Sequence, residues 1–139
     1  MPKARPVQVI KQRHAADCGV ACLAMLLDKP YGDIAAETKC TYPVMPRRGL
    51  GIYHLEHLAL RWNEELKRVY RSNTYLLDHP FGILGMNGGK MCWAGHWVIW
   101  KAGVIIEPWH DKRPIYGLEE YLADAKCRTA TLLVLEGKR

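Results

Sequence analysis

A cysteine stands at the predicted start of a helix, in the run Asp17-Cys18-Gly19. Asp17 is a favourable N-cap residue, so Cys18 falls in the first turn, where backbone N–H groups lack helical partners and the helix dipole is positive. Both features favour the thiolate, which is the nucleophilic form of a cysteine. Gly19 lets another backbone segment approach closely. The pattern makes Cys18 a candidate nucleophile, with a small buried hydrophobic residue as the alternative.

A nucleophilic cysteine needs a base, and histidine is the usual one. His96 follows Gly95 and opens the apolar run His96–Trp100, which is typical of a buried strand. A histidine at the start of a strand lies at the end of the sheet, where it can face the N-terminus of a helix. His96 is therefore the candidate base, and a purely structural histidine is the alternative.

A carboxylate often orients such an imidazole, and Glu107 and Asp111 are the two candidates. Ala102-Gly103 is a plausible two-residue hairpin turn after the strand that begins at His96. Residues whose numbers sum to about 205 then lie opposite each other across the hairpin. That pairing brings Glu107 close to His96, whereas Asp111 lies in the loop beyond.

Gln12 lies six residues before Cys18 and is a candidate for stabilising a reaction intermediate. Its side-chain amide can donate a hydrogen bond to a developing oxyanion, together with the backbone N–H of Cys18. The alternative is a solvated glutamine at the end of a short extended segment, Val7–Lys11.

The rest of the chain supplies the elements that must bring these residues together. Its apolar periodicity predicts helices first and strands after them, which defines an α+β domain. The expected helices are Cys18–Asp28, Gly32–Lys39, Ile52–Trp62 and Leu118–Ala125. The expected strands are Leu66–Tyr70, Phe81–Met86, His96–Lys101, Val104–Glu107 and Thr129–Leu135. Because apolar residues cover more than one face of the first helix, we expect it to be central and largely buried.

Three blocks of the sequence together resemble one known family. They are Gln12 with the run Asp17-Cys18-Gly19-Val20-Ala21-Cys22-Leu23-Ala24-Met25, then Gly95-His96-Trp97-Val98-Ile99, and then Ile106-Glu107-Pro108. This combination closely resembles the bacteriocin-processing, double-glycine-leader peptidases, which belong to the papain-like cysteine peptidases. The resemblance covers nearly the whole chain, and the block around Cys18 is its most specific part.

The resemblance implies a papain-like fold, with N-terminal helices packed on a mostly antiparallel sheet, as a single peptidase domain over residues 1–139. It implies Cys18 as nucleophile, His96 as base, Gln12 as oxyanion donor and Glu107 as orienting carboxylate. The sequence departs from the family pattern at the last of these, because Glu107-Pro108 stands where the family has Asp-Pro. Glutamate has the same charge on a longer stem and is expected to orient His96 less rigidly.

Family members are commonly fused to a membrane-spanning, ATP-driven exporter, and this is a second departure. The sequence contains neither the spans nor the Gly-x4-Gly-Lys-Ser/Thr phosphate loop. The resemblance therefore implies the peptidase fold and not the export role.

The composition limits which binding partners and which cellular compartment are expected. The 139 residues include 20 Lys and Arg against 14 Asp and Glu, for a net charge of +6, and no basic run is long enough to be a nucleic-acid-binding tail. The sequence has no signal-peptide pattern and no apolar stretch of membrane-spanning length. We expect a cytoplasmic chain with reduced thiols and without a membrane or nucleic-acid partner. The five cysteines contain no Cys-x2-Cys pair, so neither a metal site nor another cofactor is predicted.

The leading hypothesis is a cysteine peptidase that hydrolyses a peptide or isopeptide bond. Its partner is then a peptide or protein substrate, and by the resemblance one that contains Gly-Gly. The alternative is a protein-binding module that kept the fold and lost turnover.

Overall fold

The computed structural model describes residues 7–14, 16–44, 49–69, 76–88, 93–109 and 112–136, without the side chains of residues 93–95. Helices come first along the chain and strands follow, as the sequence predicts. In chain order the elements are α1 (Cys18–Leu27), α2 (Tyr31–Thr41), α3 (Ile52–Leu60), β1 (Leu66–Val69), β2 (Phe81–Gly88), β3 (Trp93–Lys101), β4 (Val104–Ile106), β5 (Ile115–Gly117), α4 (Leu118–Ala125) and β6 (Arg128–Leu135).

The strands form one sheet in the order β1-β6-β2-β3-β4-β5, and each of these pairings is antiparallel. The predicted α+β class is therefore confirmed. The sequence prediction missed β5, an edge strand of only three residues with a single buried side chain, Tyr116. Three residues are too few for an alternation of apolar and polar positions to be recognised.

The hairpin of β3 and β4 has the predicted register. Ile99 pairs with Ile106 and Lys101 pairs with Val104, so the residue numbers of each pair sum to 205. Ala102 and Gly103 both have positive φ, at 47° and 93°. Two positive φ values are typical of a type I′ turn, whose twist matches that of the strands.

The sheet carries a hydrophobic core on each face. Alternate residues of β3 point to opposite faces, so Ile99 packs with the N-terminal helices while Val98 and Trp100 pack with α4. All ten residues of α1 are buried, which confirms the prediction of a central helix. The helix ends at Leu27, because Asp28 has left-handed backbone geometry and Pro30 stands two residues further on. The buried position of α1 against β3 places Cys18 next to the strand that contains His96.

At Gly82, β2 packs so tightly against β6 that there is no room for a side chain. A Cβ atom there would lie 2.6 Å from the Leu133 carbonyl oxygen and 2.9 Å from the Leu132 side chain. Gly82→Ala should lower the free energy of unfolding by about 1–3 kcal/mol, because the backbone of β6 must move to admit the methyl group. Chemical denaturation, monitored by circular dichroism, measures this loss of stability.

Gly32 in α2 is the matched control, because a Cβ atom there would meet nothing within 4 Å. Gly32→Ala should raise the free energy of unfolding by about 0.5–1 kcal/mol, since alanine loses less backbone entropy in a helix. Equal denaturation midpoints for the two variants would contradict the close packing of β2 against β6.

Candidate active site

Cys18 is the first residue of α1 and borders an open groove of about 330 Å³. Its side chain is 8% exposed. The groove lies between β3, with His96 and Trp97, and the loop residues Gly49–Gly51. The thiol and the His96 ring are close enough for Cys18 to raise the pKa of the ring. The thiol is thus close to a possible base and is reachable from solvent through the groove.

His96 lies on β3 between Cys18 and Glu107, and it is only 5% exposed. Its Nε2 atom lies 2.7 Å from Glu107 Oε2. An imidazole has two nitrogens, so this contact leaves Nδ1 to face the thiol. The structure therefore brings Cys18, His96 and Glu107 together in the order that the sequence predicts. The rival carboxylate, Asp111, lies outside the described residues.

Glu107 directly follows β4 and has no exposed surface. Besides the contact with His96, its carboxylate accepts a hydrogen bond of 2.9 Å from the Trp109 backbone N–H and one of 2.5 Å from the Tyr121 hydroxyl. Burial raises the pKa of Glu107, but the hydrogen bond and charge of His96 and the bonds from Tyr121 and Trp109 outweigh it and hold the pKa below its usual value. Glu107 is therefore ionised at neutral pH.

The protonation of His96 follows from its two neighbours. Burial lowers the pKa of His96, but the hydrogen bonds to Cys18 and Glu107 and their negative charges outweigh that effect and raise the pKa from 6.5 to about 10. At neutral pH the ring is therefore an imidazolium. A cationic ring beside the sulfur stabilises a thiolate, which is the nucleophilic form.

Cys22 lies one turn after Cys18 on the same helix, yet its environment is different. It has no exposed surface. Burial, together with the negative charges of Cys18 and Glu107, raises the pKa of Cys22 well above its usual value. Cys22 therefore remains a neutral thiol and packs as a small hydrophobic residue.

Residues 7–12 form an entry segment that precedes α1, and Gln12 is buried at its end. Its backbone N–H donates to the Pro108 carbonyl over 2.8 Å, which docks this segment on the loop that follows Glu107. Its side-chain Nε2 donates to the His14 carbonyl over 2.8 Å. A side-chain amide carries two N–H donors, and His14 takes one of them. The role of Gln12 as an oxyanion donor stays a prediction.

Asp17 occupies the predicted N-cap position of α1, but its carboxylate has partners outside the helix. It accepts hydrogen bonds from the His14 backbone N–H and from the Tyr31 hydroxyl. The carboxylate thus fixes the approach of the chain to Cys18 and makes no side-chain cap hydrogen bond to the helix.

Tyr121 is a site residue that sequence reasoning missed. It lies on α4, fourteen residues after Glu107, and its hydroxyl is buried against that carboxylate. Trp97 also shapes the site, because its indole Nε1 donates to the Leu50 carbonyl over 2.7 Å and so holds one wall of the groove. Neither contact has a local sequence signal, since each depends on how distant elements pack.

The described ranges also bear on metal binding and membrane insertion. They contain no group of three or more His, Cys, Asp or Glu side chains arranged to hold a metal ion. Within the same ranges, no helix combines the length and apolar character needed to cross a lipid bilayer.

Comparison with known proteins identifies the family. The model of the peptidase C39 family matches residues 6–102, which is more than half of the chain. The chain belongs to the peptidase C39 family. Its predicted resemblance to the double-glycine-leader peptidases is therefore confirmed. The match ends before Glu107, so the inclusion of this carboxylate in the C39 site rests on the geometry described above.

Solved structures share the fold of this C39 chain. A double glycine motif protease from an AMS/PCAT transporter, crystallised in complex with the leader peptide, is 21% identical, with a TM-score of 0.67, over 94% of this chain and 91% of the other. The peptidase domain of Streptococcus ComA is 16% identical, with a TM-score of 0.68, over 94% and 98%. That of Streptococcus mutans ComA is 18% identical, with a TM-score of 0.65, over 93% and 98%. A comparison with curated protein sequences gives no significant match.

The contact between Glu107 and His96 predicts a measurable change in the C39 site. Glu107→Gln removes a hydrogen-bonded negative charge from the imidazolium, so it should lower the pKa of His96 from about 10 towards neutrality. NMR titration of the ring protons measures this pKa.

Two control variants make this test specific. Glu56→Gln removes a carboxylate on α3 that pairs with Arg68 on β1, away from the site, and should leave the pKa of His96 unchanged. Asp111→Asn tests the rival predicted from the sequence. If Asp111→Asn lowers the pKa of His96 and Glu107→Gln does not, the assignment of the orienting carboxylate is wrong.

Proposed function

We propose that this chain is a cysteine peptidase that cleaves a peptide bond on the carboxyl side of a double-glycine motif. The observation that carries the proposal is the buried pairing of His96 Nε2 with Glu107, which leaves Nδ1 for the thiol of Cys18. Membership of the peptidase C39 family supports the reaction class. A structural relative that binds a leader peptide supports the substrate class.

The proposed reaction is acyl transfer through a thioester. The Cys18 thiolate attacks the scissile carbonyl carbon, and the carbonyl oxygen becomes an oxyanion that accepts hydrogen bonds from Gln12 and the Cys18 backbone N–H. The imidazolium of His96 gives its proton to the leaving amine as the C–N bond breaks. Neutral His96 then takes a proton from the water that attacks the thioester, and the C–S bond breaks to release the acid, the Cys18 thiolate and the imidazolium. Glu107 holds the ring in one orientation through both steps.

The shape of the groove supports a substrate with small residues at the scissile bond. Gly49, Gly51 and Gly85 line it without side chains, and Trp97 forms a rigid wall beside Cys18. A Cβ atom on Gly85 would already lie 3.0 Å from the Trp97 ring. An extended peptide backbone with glycines at this point can approach the sulfur without meeting that wall.

The reaction is tested with synthetic leader peptides in which Gly-Gly precedes a short cargo. The wild-type chain should cleave after the second glycine, as read by mass spectrometry. Cys18→Ala should lower the rate by at least about 10³-fold, because it removes the nucleophile. Cys22→Ala is the matched control, one turn away on the same helix, and should keep the wild-type rate.

Alkylation by iodoacetamide at pH 6–7 distinguishes the proposed peptidase from an isopeptidase and from a protein-binding module. Preferential labelling of Cys18 without cleavage of any Gly-Gly peptide would overturn the proposed substrate and favour another bond, such as an isopeptide. Labelling of Cys40 or Cys127 ahead of Cys18, again without cleavage, would favour the protein-binding module.

Gln12 is tested separately through the rate of turnover. Gln12→Ala should lower kcat by about 10²–10³-fold and change KM little, which is the usual effect of losing one oxyanion donor. Gln8→Ala is the control, because Gln8 is an exposed glutamine of the same entry segment. An unchanged kcat in Gln12→Ala would exclude Gln12 from the reaction.

A further inference from the structure

Lys11 directs its ammonium group at one loop of the backbone. Its Nζ atom donates to the carbonyl oxygens of Glu107 at 3.0 Å, Trp109 at 3.0 Å and Lys112 at 2.8 Å. An ammonium has three N–H donors, so this loop accounts for all of them. A lysine at the surface is normally solvated, and its use as a three-point clamp on main-chain atoms requires another explanation.

The clamped loop is the one that begins with Glu107. Both main-chain polar groups of Trp109 are held, since its N–H donates to the Glu107 carboxylate and its carbonyl accepts from Lys11. The neighbouring residue of the entry segment, Gln12, donates its backbone N–H to Pro108. Consecutive residues of the entry segment thus fix consecutive peptides of the loop.

We propose that Lys11 is a positioning residue, which holds the loop after β4 so that the Glu107 carboxylate stays aligned with the His96 ring. This inference rests on the proposed function, because alignment of His96 matters for turnover only if the chain is a peptidase. Lys11 touches neither the thiol nor the ring in the structure, and it acts through Glu107.

A positioning role and a purely electrostatic role of Lys11 predict opposite changes in the pKa of His96. Burial lowers the pKa of Lys11, and the negative charge of Glu107 offsets part of that effect, so Lys11 is close enough to Glu107 for its charge to be felt. Removing a nearby cation would, by charge alone, make His96 easier to protonate and raise its pKa. Misalignment of Glu107 has the opposite effect, because it weakens the bond that stabilises the imidazolium. The direction of the change in the His96 pKa therefore separates positioning from charge.

The experiment compares Lys11→Met with Lys67→Met by NMR titration of the His96 ring and by leader-peptide cleavage. Lys67 is an exposed lysine on β1, at the opposite edge of the sheet from the β4–β5 side. Lys11→Met should lower the pKa of His96 and reduce kcat by roughly tenfold with little change in KM, while Lys67→Met changes neither. Lys11→Arg keeps a cation with several N–H donors, so its His96 pKa and its kcat should stay close to the wild-type values.

An unchanged or raised His96 pKa in a folded Lys11→Met protein would overturn the proposal, even if its melting temperature falls. If that variant does not fold, Lys11→Gln keeps two N–H donors without the charge and is held to the same criterion. The ring titration needs no substrate. A wild-type chain that cleaves no leader peptide would therefore refute the peptidase function, while the His96 pKa would still decide the role of Lys11.

Discussion

A carboxylate with no exposed surface sets the conditions for the rest of this site. Burying an ionised group is costly unless hydrogen bonds and an opposite charge replace its hydration. Glu107 meets that requirement with His96 Nε2, the Tyr121 hydroxyl and the Trp109 N–H. Its partners come from β3, from α4 and from its own loop, so these elements must be in place together for the charge to be stable. The cationic form of His96 beside Cys18 is the consequence of that arrangement.

The β3–β4 hairpin determines the relative positions of His96 and Glu107. Its two-residue turn fixes which residues of the strands face each other, and a slip of one residue would turn every side chain to the other face of the sheet. His96 and Glu107 would then lie on opposite faces. The left-handed geometry of Ala102 and Gly103 therefore supports the site as a turn of defined type, although His96 and Glu107 lie several residues away from it.

The parts of this arrangement that could be predicted are those encoded locally. The N-cap position of Asp17 predicts that Cys18 lies in the first turn of α1, and the Ala102-Gly103 turn predicts that Glu107 lies near His96. The family resemblance then joined the cysteine to this pair. Tyr121, the Lys11 clamp and the three-residue strand β5 could not be predicted in the same way. The contacts of Tyr121 and Lys11 span 14 to 101 residues of sequence, and they depend on the packing of elements whose relative positions no local pattern defines. The strand β5 is too short to show a recognisable periodicity.

Glutamate in place of the family's aspartate changes what must hold the carboxylate. The side chain has one more methylene group, so it reaches about 1.5 Å further and has one more rotatable bond to restrain. The Tyr121 hydroxyl binds one carboxylate oxygen, and the Trp109 N–H and His96 Nε2 share the other. With both oxygens engaged, the additional torsion has little freedom left. The longer side chain of Glu107 is thus restrained by contacts from outside the Ile106-Glu107-Pro108 block, and one of them comes from α4.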